Sequence, residues 1–327
     1  MIRHLAQPWL LAGLSLCGVA APAQTMPAHP GKPVTLVVSF PAGGAPDQIA
    51  RLLGQQLQQR WKTPVIVSNR PGAAGHLGND AVARAEPDGH TLLVTPNTFT
   101  MAPHVLPPGA QKPADVMQDF TPIALLSSSS MLLLAHPSLG VKDARELARL
   151  AKAQPGLGYA SSGNGTPMHI AGELFNHVAG LDIDHVAYRG TSPAISDVLG
   201  GHVKLTYLGL PVAKPLIDSG KLVALATVDK QRSPLLPDVT TMAEQGFPGV
   251  DTDIWFGVYG PKGMARTLAD DLHASFNEVL RQPQVAAQFK AMSQVVHQES
   301  REFFANKTRA DHLRYGVIVK QFKITAD

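Results

Sequence analysis

From Pro33 onward the chain alternates short β-branched and apolar runs with longer amphipathic stretches, and this alternation restricts the available folds more than any single motif. Val34 to Phe40 precedes a helical pattern over Asp47 to Arg60, and Val65 to Ser68 follows it. Runs this short and apolar read as strands buried on both faces, so the order predicts parallel sheet with helices packed on it, an α/β fold. Further strands are expected at Thr91 to Thr95, Met131 to His136, Leu157 to Ala160, His185 to Tyr188, Val203 to Leu208, Leu222 to Val228 and Ile254 to Tyr259.

A length of 327 residues is long for one core and comfortable for two. After Arg266 no strand is expected, but Leu268, Leu272, Phe276, Val279 and Leu280 recur at helical spacing, followed less regularly by Phe303, Phe304 and Tyr315. Such helices need a sheet to cover. The expected arrangement is a first lobe from residues 24–128 completed by 250–327, with 129–249 inserted as a second lobe. Asp143 with Glu146 three residues later predicts a capped helix inside that second lobe.

The first 23 residues have another logic. Arg3, an apolar stretch from Trp9 to Ala21 and the sequence Ala21-Pro22-Ala23 predict a cleaved signal peptide and a periplasmic destination. Cys17 is the one cysteine, and Leu16 before it fits poorly to a lipoprotein signal, so the mature chain is expected to have neither thiol nor lipid anchor. No later segment supplies about 18 continuous apolar residues, which argues against a membrane-embedded protein. A net charge of +3, with no block of like charges, argues against a nucleic-acid partner.

One local pattern recurs three times: strand, polar or glycine-rich turn, then a helix start with proline near its first position. It appears at Phe40-Pro41-Ala42-Gly43-Gly44-Ala45-Pro46-Asp47, at Ser161-Ser162-Gly163-Asn164-Gly165-Thr166-Pro167 and at Tyr188-Arg189-Gly190-Thr191-Ser192-Pro193. Thr166 and Ser192 are the expected caps of the second and third copies. A helix start presents unpaired N–H groups and roughly half a positive charge, so several at strand ends predict an anion site, with Arg189 adding a charge-assisted contact. Each turn taken alone reads first as a satisfied cap, and Asp47 equally well complements its helix dipole. Trp255 and Phe256 read as core residues before they read as a stacking platform.

Metal and cofactor chemistry finds no footing. The 13 histidines include no two spaced two to four apart, and the chain lacks H-E-x-x-H, G-x-S-x-G and G-x-x-x-x-G-K-[ST]. No cofactor, no metal site and no catalytic residue are expected.

The ordered stretches KPVTLVVSFPAGGAPDQIARLL, VSNRPGAAGHLGNDAVARAEPDGHTLL, DFTPIALL, YASSGNGTPMHIAGELF, HVAYRGTSPAISDVLGGHV, GKLVALATVDKQRSPLLPDVTTMAEQGFPG and WFGVYGPKG cover nearly the whole chain after residue 31. In these the sequence resembles the tripartite tricarboxylate transporter receptors, the TctC or Bordetella-uptake-gene type of periplasmic binding protein. The resemblance implies a type II, flytrap fold of two lobes with two interlobe crossovers. It also implies a cleft for a small di- or tricarboxylate, acidic amino acid or aromatic acid, and delivery to the permease subunits of a tripartite transporter. It sets the loops matching Phe40 to Asp47 and Ser161 to Thr166 face to face on the ligand carboxylate; with the helix-start argument, the residues expected on the ligand are Phe40, Gly43, Gly44 and Asp47 from one side and Ser161, Asn164, Gly165, Thr166, Arg189 and Gly190 from the other, with Thr98 added from a neighbouring loop. Two positions depart from the family pattern: Ala45 replaces a third glycine, and Leu208 replaces a small or polar residue. Leu208 is expected to make one pocket wall apolar. A solute sensor docking onto a signalling protein is the alternative role, and a hydrolase using Ser161 and His169 is a further one.

Overall fold

The computed structural model describes residues 1, 31–72, 75–106, 113–188 and 190–324. The expected signal peptide and Arg189 lie outside the described residues. The chain opens with β1 (Val34–Val38), α1 (Ala45–Trp61), β2 (Val65–Asn69), α2 (His76–Ala83), β3 (Thr91–Pro96) and the single turn α3 (Thr98–Met101). Strand β1 shows why the run is apolar throughout. Val34, Leu36 and Val38 enter one core with α1, whereas Val37 enters another on the opposite face, as the two-residue strand period requires.

Two long strands then carry the chain from one sheet to the other. β4 (Phe120–Ser129) and β5 (Met131–Ala135) are separated only by Ser130, yet they lie in different sheets. The second sheet continues through α4 (Ala144–Ala153), β6 (Gly158–Ser161), α5 (Pro167–Ala179), β7 (Asp184–Ala187), α6 (Thr191–Leu199), β8 (Leu205–Gly209), α7 (Leu210–Asp218) and β9 (Val223–Thr227). The chain returns with β10 (Ile254–Pro261), α8 (Arg266–Leu280), α9 (Pro283–Ala291), the two-residue β11 (Val295–Val296) and α10 (Arg301–Phe322). Asp143 caps α4 by accepting from Glu146 N at 2.7 Å, and Glu146 reaches back to Lys142 N at 2.9 Å.

The six-stranded sheet runs β11-β4-β10-β3-β1-β2 and the five-stranded sheet β7-β6-β8-β5-β9. Both are mixed: β1 is parallel to β2 and β3, while β10 is antiparallel to β3 and β4. In the second sheet β6 is parallel to β7 and β8, and β5 is antiparallel to β8 and β9. This is an α/β fold of two lobes with two crossovers, at Ser130 and between Thr227 and Ile254.

Three features differ from the sequence reading, the first being strand β4, which was not among the expected strands. Strand β11 falls after Arg266, where no strand was expected, and pairs Val295 and Val296 with Ser128 and Ser127 of β4. Helix α10 serves both lobes. Phe304 near its start packs with Trp255 and Tyr259 of the first lobe, while Tyr315, Ile318 and Val319 join the core of the second. Asp311, between these ends, accepts from buried Trp255 Nε1 at 2.6 Å and pairs with Lys307, which also reaches Asp253 at 2.8 Å. Among the described residues no helix is long and apolar enough to cross a membrane.

Candidate functional site

The first glycine-rich turn is held from inside. Gly43 adopts φ +87°, a conformation that glycine reaches without strain, and Gly44 enters α1 with no side chain capping it. Asp47, only 3% exposed, aims its carboxylate back into the turn. Its Oδ2 accepts from Gly43 N at 2.8 Å and Arg51 Nε at 3.0 Å, and its Oδ1 accepts from Asn69 Nδ2 at 2.9 Å. Burial opposes the charge on Asp47. The hydrogen bonds from Arg51, Gly43 and Asn69, with the Arg51 charge, nevertheless hold its pKa below the ordinary carboxylate value. Asn69 also donates to the Phe40 carbonyl, and Gln48 donates to the Gly43 carbonyl. Ala45 is the first residue of α1, where helical dihedrals accommodate its Cβ.

The second turn is braced in the same manner from the other lobe. Ser161, at the end of β6 and fully buried, donates to Gly163 O at 3.1 Å and meets His185 Nε2 at 2.6 Å. Thr166 caps α5, accepting from His169 N and donating to Gly163 O at 2.8 Å. His169 Nδ1 accepts from Gly165 N at 3.1 Å, and its ring stacks on His185 with centroids 3.7 Å apart. Gly165 has φ +70°, and a Cβ there would lie 2.8 Å from the Val105 side chain. Asn164, between these glycines, is partly buried. In the third turn the helix starts earlier than expected. Gly190, at φ +116°, is the cap of α6 and Thr191 its first residue, so Ser192 lies within the helix.

These turns border one cavity of about 440 Å³ between the lobes. The first lobe lines it with Gly43, Gly44, Gln48, Asn97, Thr98, Phe256 and Gln294 among others, and the second with Met131, Ser162, Pro167, Thr191, Leu208 and Gly209 among others. Of the residues expected on a ligand, Gly43, Gly44 and Thr98 reach this lining directly. Phe40, Asp47, Ser161, Asn164, Gly165, Thr166 and Gly190 do not line it. Asp47, Ser161 and Thr166 brace the turns from behind, and Ser162, Pro167 and Thr191 form the wall beside them.

A further helix start went unread in the sequence. Strand β8 ends at Gly209 and α7 begins at once with Leu210 and Pro211, with no polar turn and no side-chain cap to announce it. Gly209 and Pro211 both line the cavity, so starts from α1 in one lobe and from α5, α6 and α7 in the other face the same space. Among the described lining residues none carries a charge. Backbone N–H groups and helix dipoles are therefore the main attraction this cleft offers an anion. Among the described residues no group of three His, Cys, Asp or Glu could hold a metal ion.

Two α/β lobes joined by two crossovers, with opposed helix starts on an interlobe cleft, define a solute-binding protein of the periplasmic type. Residues 49–323 match the model of the tripartite tricarboxylate transporter family receptor, and the chain belongs to that family. It is 35% identical to protein BugT of Bordetella pertussis over 85% of either chain. Among solved structures it resembles Rpa4515 of R. palustris with adipate, at a TM-score of 0.79, 29% identity and coverage of 90% of this chain and 99% of that one. It likewise resembles MatC of Rhodopseudomonas palustris with bound malate, at a TM-score of 0.74, 31% identity and coverage of 89% and 100%.

Proposed function

We propose that this protein is a periplasmic receptor that captures a small carboxylate in the interlobe cleft and delivers it to the membrane permease subunits of a tripartite tricarboxylate-type transporter. The observation that carries the reading is the convergence of helix starts from both lobes on one cavity whose described lining carries no charge. A carboxylate gripped from both sides stabilises the closed form, and the permease then distinguishes loaded from empty receptor by shape. Secretion after removal of residues 1–23 places the receptor beside its permease. The moving bodies in this reading are residues 24–128 with 250–327 and residues 129–249, the end of α10 staying seated on the second. That relatives carry adipate and malate supports the carboxylate class.

No turnover accompanies capture in this reading. Ser161 contacts His185, not His169, and it is fully buried with its hydroxyl engaged by Gly163, so a substrate carbonyl has no approach to it. Arg189 is assigned a supporting charge beside the α6 start.

A thermal-shift screen of the metal-free protein against mono-, di- and tricarboxylates, acidic amino acids and aromatic acids tests the proposal. A ligand at a hundred times its dissociation constant stabilises the native state by about 2.7 kcal/mol. Stabilisation of the wild type that is absent in Gly44→Val supports the cleft. No shift with any acid, after bound ligand has been stripped by unfolding and refolding, overturns the reading in favour of a protein-docking role.

A further inference from the structure

The cleft has two chemically distinct regions. Gly43 and Gly44, Pro167 and Thr191 lie at helix starts. The floor, where strands end and the chain crosses between lobes, is apolar: Met131, Leu208, Ile254 and Phe256, with Met292 from the end of α9. The two lobes touch there, since a Cβ built on Gly209 would stand 3.3 Å from Ile254 Cδ1.

Three polar side chains that line the cavity beside this floor each make one hydrogen bond within the protein, and the buried Asn97 Oδ1, which has no protein partner, is an acceptor that a carboxylate cannot use. Gln294 Oε1 accepts from Ser127 Oγ at 3.2 Å, Ser129 Oγ donates to Ser293 O at 3.3 Å, and Asn97 Nδ2 donates to Asp253 O at 2.7 Å. No charged side chain stands among the described lining residues. A second carboxylate laid over this floor would lose its water without gaining a cation. An apolar body laid there gains about fourfold in affinity per buried methylene. Space is ample, because the cavity of about 440 Å³ is roughly three times one of about 150 Å³ that admits benzene.

We infer that the preferred solute is a monocarboxylate with an apolar aliphatic or aromatic body, its carboxylate at the helix starts and its body on the floor of Leu208, Ile254, Phe256 and Met292. This rests on the carboxylate reading above and narrows it.

The test is calorimetric titration of the stripped protein with propionate, hexanoate, adipate, malate and citrate. Hexanoate and adipate share a six-carbon chain and differ by one carboxylate, while propionate and hexanoate differ only in apolar length. Hexanoate is expected to bind at least tenfold tighter than either. Met292→Gln, at a partly exposed position the fold tolerates, and Leu208→Asn are each expected to weaken hexanoate about tenfold and leave propionate within twofold. Adipate, malate or citrate binding as tightly as hexanoate would overturn the inference while leaving the carboxylate receptor intact. Silence from all five acids and from benzoate, titrated likewise, would overturn the inference, while the carboxylate reading falls only if no acid of the wider thermal-shift screen binds.

Discussion

Asp47 and Gly43 face each other across the first turn of α1, the carboxylate accepting the glycine N–H at 2.8 Å. The bond closes the turn on itself, so Gly43 and Gly44 present their backbone to the cleft in a fixed pose. Replacing Asp47 with asparagine removes the charge that Arg51 and Asn69 also use. The expected result is a loss of about 1–3 kcal/mol in a urea titration together with weaker ligand binding, because the turn loosens. In the wild type the Asp47 pKa is depressed on folding, so its contribution is full above the ordinary value of 3.8 and is lost only as pH falls below it.

Asp229 behaves in the opposite sense. It lies just beyond β9 on the return crossover, accepting from Thr227 Oγ1 at 2.8 Å and Met131 N at 3.4 Å, and burial pushes its pKa up to about 6 despite these bonds. A carboxyl raised on folding holds its proton more tightly in the folded state. Its contribution is therefore full below 3.8 and is lost as pH rises through about 6. Asp229→Asn is expected to raise stability by about 1–2 kcal/mol at pH 7.5 and to leave it unchanged near pH 4. Thermal melts of both proteins across that range check the prediction.

Gly165 packs against Val105, a residue that precedes the crossover in sequence yet sits in the core of the second lobe. Alanine there meets two costs: a left-handed dihedral of about 1–2 kcal/mol and a Cβ only 2.8 Å from Val105. Gly165→Ala is expected to destabilise the protein by about 2–4 kcal/mol. Val105→Ala in the same chain should recover part of that loss, as a double-mutant cycle would measure.

Lys307 compensates the buried carboxylate of Asp311. Burial raises the Asp311 pKa despite the nearby ammonium, whereas the two carboxylates of Asp253 and Asp311 raise that of Lys307 against its own burial. One cation between two carboxylates accounts for both directions. Lys307→Met is expected to cost about 3–5 kcal/mol in chemical denaturation, with Asp311→Asn restoring part of it.

The strands legible in the sequence are those whose β-branched runs stand between glycine or proline turns, such as β1, β3 and β10. Strand β4 was not among the expected strands: Pro122 and the four serines at 127–130 interrupt the apolar run that marks the others. Buried Ser127 and Ser129 are acceptable in a strand only because Gln294 and the Ser293 carbonyl, far away in sequence, meet their hydroxyls. For α10, helical spacing tells which residues are apolar but not that Phe304 and Val319 enter the cores of different lobes. In the site, glycine, threonine and proline announced two helix starts well. The start at Gly209 carries no cap and gave no notice, and the sequence does not separate residues that brace a turn, like Asp47, from those that face the cleft.

A helix rooted at Phe304 in one lobe and at Val319 in the other ties together bodies that the strand crossovers alone would leave on two thin links. Any rocking of the lobes must leave both roots seated. A lobe motion of the kind proposed above would therefore turn about the middle of α10, near Asp311, where Trp255 and Lys307 fasten it. In the receptor reading proposed above, a cleft that closes about such an axis would change most at its rim and least beside the helix.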